Sequence, residues 1–351
     1  KWSWRFIMSE FKVNAITNKD GSYGPQVCGV TTFTSSGLQL PSGTTEMRGG
    51  RGRGIVGGGH PGPQNTMDLV EISTAADATD FGDLTVALRN IATCASSTRG
   101  IFTGGQTPSE TNTIMYVTIS SGGGCNDFGD LREAMTNSND GCLSDNTRGI
   151  ILYGSPSSLP SNANQGTLDF ITIPTTGDSA RFGELSLARR HTASMASPTK
   201  GFFAKGKNDT LGAYQRVIDS VTIQTRGIAV KFGETIESSE QSVGTGNETR
   251  GLIAGGLTAA PNTRSNTIEY FTFASEGNAL DFGDIGGNRI GCSSMSNSTR
   301  ALIAGGGTPS SQNNIEFVTI ATTGDAVDFG DLTRSTQVGQ GLSDSHGGLA
   351  Q

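Results

Sequence analysis

Histidine is nearly absent from this chain. His60, His191 and His346 are the three in 351 residues, too few and too unlike in context to build the clustered imidazoles of a zinc or copper centre or the base of a nucleophilic triad. Each reads as a polar loop residue. The five cysteines, Cys28, Cys94, Cys125, Cys142 and Cys292, are an odd number without a Cys-x-x-Cys pair. That excludes a disulfide framework and a zinc knuckle and leaves mostly buried thiols. Charge is thin at 16%, while the apolar share of 34% still suffices for a sheet core, so disorder and coiled coil fit poorly. With 25 basic against 32 acidic residues the formal charge is −7, which argues against attraction to nucleic acid phosphates. No apolar run reaches the length of a membrane span, and residues 1–7 are too short for the hydrophobic part of a secretion signal.

Glycine, by contrast, is abundant: 51 of 351 residues, roughly twice average usage. A repeat explains it. Asp-Phe-Gly-Asp-Leu stands at 80–84 and 127–131, varies to Arg-Phe-Gly-Glu-Leu at 181–185 and Lys-Phe-Gly-Glu-Thr at 231–235, and returns as Asp-Phe-Gly-Asp-Ile at 281–285 and Asp-Phe-Gly-Asp-Leu at 328–332, so that Phe81, Phe128, Phe182, Phe232, Phe282 and Phe329 recur about every 50 residues. Each copy is preceded by an apolar stretch such as Asn-Thr-Ile-Glu-Tyr-Phe-Thr-Phe at 266–273, which places apolar groups on both sides of a strand and so implies a stack of sheets. Each is followed by a small-residue stretch, then Thr-Arg-Gly and a second apolar run ending in Gly-Gly, as at Arg250 to Gly256. Tyr153 and Lys205 stand where the first glycine of that pair is expected, which predicts different packing in those two units.

Four short strands per unit make one blade of a β-propeller. Glycine serves where backbones converge on a narrow axis and where turns need positive φ. Residues 336–343 begin the small-residue strand of a further blade, and residues 53–59 lack one in front of them. Joining the two predicts an all-β, six-bladed propeller over residues 47–351, closed by its C-terminal strand, behind an N-terminal segment of residues 1–46. That segment carries no Phe-Gly element and so is not counted as a seventh blade.

The Gly-Gly pair, acidic-aromatic strand and later aromatic, in that order at this spacing, resemble kelch-type β-propellers, with the phenylalanine of the Phe-Gly element in place of the usual tryptophan. Residues 47–351 resemble the kelch-like repeat proteins of tailed bacteriophages that infect marine cyanobacteria. Phe11 to Gly21, Gly29-Val30-Thr31 and Gly37 to Gly43 are similar to the amino-terminal part of virion appendage proteins of such phages. The resemblance implies a non-enzymatic structural protein of the virion, in the tail or a tail-fibre-associated appendage. Residues 1–46 would attach it to other virion proteins and to copies of itself, while the propeller would serve as an adhesin or decoration protein that meets host surface polysaccharide or another receptor. The alternative is an intracellular kelch-type scaffold that binds a protein partner. Neither reading calls for nucleic acid, membrane insertion, a cofactor or a metal.

Six copies of the Phe-Gly element, four of them Asp-Phe-Gly, without a phosphate loop or a His-Arg-Asp element exclude a kinase; a phenylalanine packed between blades, a glycine of close approach and an acid meeting turn amides suffice. Paired acids such as Asp80 and Asp83 lack the dense oxygen-ligand loop of a calcium site. Sialidase boxes need tryptophan, and Trp2 and Trp4 are the only two. No catalytic, cofactor or metal residue is therefore assigned. Arg99, Arg148, Lys200, Arg250 and Arg300 share one turn position and array on one face, either as a cationic ring for an anion or partner or, as favoured here, bonded to turn carbonyls or a neighbouring acid. Arg89, Arg190 and Arg289 form a looser set on the opposite face. The most variable segments, 106–112, 155–166, 207–215, 257–266 and 307–314, should share a face and are the natural recognition region.

Overall fold

In the computed structural model, residues 32–34, 37–39, 52–136, 141–154, 166–258 and 263–349 are described, and their regular structure is entirely β-strand. Thr32–Thr34 and Gly37–Gln39 pair as a small antiparallel hairpin; the rest of the segment assigned to virion attachment lies outside the described residues. From Gly52 onward the strands form six blades, each with four antiparallel strands, in chain order from the axis outward except in blade 1, whose inner strand comes from the C-terminal end. Blade 1 is Gln340–Ser343, Arg53–Gly57, Gln64–Glu71 and Thr79–Leu88; blade 2 is Ala92–Ala95, Arg99–Thr103, Thr111–Thr118 and Asn126–Met135; blade 3 is Cys142–Ser144, Arg148–Leu152, Thr167–Thr172 and Ala180–Glu184. Blade 4 is Ala193–Ala196, Lys200–Ala204, Val217–Thr222 and Val230–Glu234; blade 5 is Val243–Gly246, Arg250–Ala254, Thr267–Thr272 and Leu280–Asp284; blade 6 is Ser293–Ser296, Arg300–Ala304, Ser310–Thr319 and Val327–Thr336. The all-β class and the six-bladed ring are those the repeat predicts.

Closure comes from Gln340–Ser343, which pairs antiparallel with Arg53–Gly57 in the register Gly54 with Ser343, Ile55 with Leu342 and Val56 with Gly341. The ring therefore has no free inner edge at the seam.

Small side chains line the axis because the inner strands sit shoulder to shoulder and are laced by hydroxyls. Thr93 donates to the Gly341 carbonyl (2.6 Å), Ser144 to Ala95 (2.7 Å), Ser294 to Gly244 (2.8 Å), Ser296 to Gly246 (2.7 Å) and Ser343 to Ser296 (2.7 Å), each time across a blade boundary. Farther out, each Phe-Gly phenylalanine is buried in an apolar cluster shared with the next blade: Phe81 with Val117 and Ile119, Phe128 with Ile171 and Ile173, Phe329 with Val70 and Ile72. Burial of one such side chain is worth about 1.5–3 kcal/mol.

The glycine after the phenylalanine is demanded by the same contact. A Cβ on Gly183 would lie 1.7 Å from the Gly227 carbonyl oxygen, and one on Gly233 would lie 1.9 Å from that of Gly277. Backbone, not a flexible side chain, is in the way. Gly183→Ala should therefore cost about 1–3 kcal/mol, read as a lower midpoint in thermal or urea unfolding; an unchanged midpoint would mean the blades do not meet as closely as described.

Candidate functional site: the two faces of the ring

The repeated arginines are structural. Arg53 Nη1 donates to the carbonyls of Ile119 (3.2 Å) and Ser120 (3.0 Å), Arg99 to Ile173 (2.9 Å) and Pro174 (3.0 Å), and Arg148 to Ile223 (2.9 Å). Arg250 likewise reaches Ile320 (3.1 Å) and Ala321 (3.0 Å), and Arg300 reaches Ser73 (3.0 Å). Each guanidinium thus clips the turn of the following blade. Four also lie over the aromatic ring of their own third strand, Arg99 on Tyr116, Arg148 on Phe170, Arg250 on Tyr270 and Arg300 on Phe317, at 4.7–4.9 Å, which adds cation–π attraction. The expected alternative, bonding to turn carbonyls, is the one found. Lys200 is the exception: its side chain is exposed and makes no such clip.

Sequence reasoning missed the acids of the third strands. Asp68, Asp169, Asp219 and Glu269 are fully buried and Glu316 nearly so, each facing the outer strand of the preceding blade. Backbone N–H groups at Thr333, Ser186, Ile236 and Gly286 donate to Asp68, Asp219, Glu269 and Glu316. Cations complete the belt: Arg132 grips Asp169 through Nε (2.8 Å) and Nη2 (2.6 Å), Arg189 donates to Asp219 (2.8 Å), Lys205 Nζ lies 2.8 Å from Glu269, and Arg289 meets Glu316. Tyr153, the other residue in a glycine position, donates its hydroxyl to Asp169 at 3.0 Å. The two departures from the Gly-Gly pattern thus deliver a side chain to a buried acid.

The set Arg89, Arg190 and Arg289 does not survive as a set. Arg89 and Arg190 occupy equivalent bridge positions, opposite Gln106 and Lys207, but Ile290 holds that place in blade 5, opposite Gly307. Arg289 lies one residue earlier, is buried and is engaged within the ring. Adjacent residues point to opposite sides of an extended chain, so an offset of one separates a buried ion pair from a surface arginine.

Among the described parts of the variable loops, those following the second strands lie on the face opposite the arginine clips, beside the turns that lead from one blade to the next. The richest array there joins blades 4 and 5. Lys207–Asn208 and Ala213–Tyr214 form a hairpin. Arg190 donates to Asp209 through Nε (2.7 Å) and Nη2 (3.2 Å), and Lys207 Nζ stands 3.9 Å from the same carboxylate. His191, in the left-handed region at φ 55°, places Nδ1 2.8 Å from Glu240 Oε2, and Tyr214 also hydrogen-bonds Glu240. His191 is therefore a buried, paired residue and not the polar loop histidine expected; His346 too departs from that reading, for it lies at the axis, Nε2 2.9 Å from the Ala95 carbonyl oxygen. Two cations and two acids balance in this array, which stabilises the loop and leaves no net charge toward solvent.

Burial pushes His191 below its ordinary value of 6.5, with Arg190 acting the same way and Glu240 opposing. The unfolded chain then binds the extra proton, so stability present above about pH 6.5 is lost as pH falls through it, by up to about 1.4 kcal/mol per pH unit. Melting temperature should fall between about pH 7.5 and about pH 5.5, and fall less in H191Q; equal slopes for the two proteins would contradict this.

The axis itself offers little. Its cavity is about 60 Å³, room for a few waters, and residues 344–349 run across its mouth, with Gly347 N–H donating to Gly246 and Gly348 N–H to His346 Nδ1. Cys94, Cys142 and Cys292 are buried and none is in a disulfide, and burial pushes Cys292 up to about 11, which keeps it an inert thiol. Among the described residues no group of three or more His, Cys, Asp or Glu is placed to hold a metal ion. What fold and faces define is a closed six-bladed β-propeller whose repeated polar groups join blade to blade, an architecture compatible with binding. No family model matches the chain, and no curated protein matches it.

Proposed function

We propose that this chain is a non-enzymatic binding protein of a tailed bacteriophage particle, a kelch-like propeller carried on the tail or another external appendage and meeting the host surface. Residues 1–46 attach it to neighbouring virion proteins and to further copies of the chain. The observation that supports the reading best is the engagement of the repeated side chains: axial hydroxyls, clip arginines and belt acids all join neighbouring blades. A rigid body that presents variable loops suits recognition, with many copies supplying avidity. Motif order and the amino-terminal segment add the kelch-like and virion parts of the reading.

Quantitative mass spectrometry of density-purified particles, with immunogold labelling, tests it. The chain should be present at fixed stoichiometry with label on an external appendage. Recovery only from the infected-cell cytosol would overturn the proposal and favour an intracellular scaffold that captures a protein partner.

A further inference from the structure

The arginine clip fails in one blade. In blade 4 the arginine position holds Lys200 and the position of the stacked aromatic holds Ser220, whose hydroxyl donates to the Val230 carbonyl at 3.4 Å. In place of a guanidinium packed on a ring there is an open groove of about 410 Å³ on the clip face, within the ordinary range for small-ligand sites, roughly 300–1,000 Å³. Lys200, Arg226, Ser220, Thr222 and Thr225 line it, with Glu276 of blade 5 at one side and Val221 and Val230 among its apolar groups. Lys200 and Arg226 have no ion pair and no side-chain hydrogen bond among the described residues, whereas Arg53, Arg132, Arg181, Arg189, Arg190 and Arg289 all meet carboxylates.

The groove wall is preformed. Arg226 lies 4.5 Å over the Phe170 ring, which also carries Arg148 at 4.7 Å; stacking fixes the guanidinium while its N–H donors stay open to a ligand. The turn that carries Arg226 is tied to blade 3 by pairing of Gly227–Ile228 with Gly183 and Glu184, by the Ala229 N–H to Glu184 (2.8 Å) and by Gln224 to Thr147 (2.9 Å). Two cations, Lys200 and Arg226, therefore face the groove against the single acid Glu276, on a chain whose formal charge is −7. Hydroxyls and a short apolar wall beside them match the hydroxyls and C–H faces of a sugar ring.

We infer that this groove is a binding site for an acidic saccharide, its carboxylate or sulfate held by Lys200 and Arg226. The inference rests on the surface-binding reading above. Isothermal titration of the full chain with sodium polygalacturonate, dextran sulfate and neutral dextran tests it, the first two separating carboxylate from sulfate recognition. At least one acidic polymer should bind, with affinity falling at least tenfold from low to high salt, and neutral dextran should not. K200Q with R226Q, both exposed and unpaired, should keep the wild-type melting temperature and lose at least tenfold in affinity. K200R with S220Y, which rebuilds the clip of the other blades, should fill the groove and also lose binding. Undiminished affinity in K200Q/R226Q, binding of neither acidic polymer, equal binding of dextran, or retention only on phosphatidylglycerol vesicles would overturn it. Host envelope retained equally by wild type and K200Q/R226Q would overturn the groove alone, whereas polymer binding by a chain absent from particles would overturn the virion reading alone.

Discussion

Asp219→Ala is expected to lower the stability of the propeller by about 3–5 kcal/mol, more than any other single substitution considered. Both members of the Arg189–Asp219 pair are wholly buried. Arg189 also donates to the carbonyls of Lys205 (2.8 Å), Phe203 (3.0 Å) and Leu187 (3.0 Å), so it cannot swing into water when its partner goes. The variant leaves a guanidinium without a counter-charge inside the ring, and burial already pushes that group below its ordinary value even with the carboxylate present. Ser186 loses its acceptor as well. Asp219→Asn should cost nearly as much, because shape is kept and charge is lost. Replacing both residues together with Met and Leu should recover a large part, since the cost lies in stranding one charge. Urea unfolding midpoints decide it: a loss under about 1 kcal/mol would mean Arg189 finds water or another partner.

Removal of residues 340–351 should have a still broader effect, because it opens the circle. Blade 1 would lose its inner strand, the Phe81 and Ile55 cluster would lose Leu342, and the Arg53–Gly57 edge would be left bare. An unpaired strand edge is a template for association, so the truncated chain should aggregate or melt without cooperativity. Placing the same twelve-residue stretch ahead of Gly52 through a flexible linker should restore the wild-type transition, since the register requires only that the strand be present. A truncated chain that melts cooperatively within a few degrees of wild type would show that the seam is dispensable.

Much of this architecture was legible because the repeat marks it directly. The phenylalanines declare the period, the small-residue stretches declare the inner strands, and the clip arginines recur at one turn position. Their partners were not legible. The carbonyls that Arg99 and Arg250 reach belong to the next blade, and no local pattern names them. The belt acids recur in five of the six blades, at Asp68, Asp169, Asp219, Glu269 and Glu316, with Met115 in blade 2, yet an acid in an apolar strand reads as a surface residue until a cation is found for it. Those cations arrive from unequal offsets: Arg132 stands four residues after its Phe-Gly phenylalanine, and Arg189 and Arg289 stand seven after theirs. A repeat search aligns equal offsets, so it sees an irregular scatter of arginines where the fold has a regular belt. His191 was misread for a similar reason, since its partner Glu240 lies in the next blade's approach.

The proposed recognition groove lies where blade 4 departs from the arginine clip. Where the repeat is kept, charge is engaged inside the ring; where blade 4 breaks it at Lys200 and Ser220, charge is left facing solvent. The most direct measurement sets one pair of substitutions against another, with melting temperature and retention on the acidic polymers read side by side. R250Q with R300Q should lose about 2 kcal/mol of stability and keep polymer binding, while K200Q with R226Q should lose binding and keep stability. If R250Q with R300Q instead abolished binding and left the melting temperature unchanged, the arginine ring would be the recognition surface and the division between a structural repeat and a functional departure would be wrong.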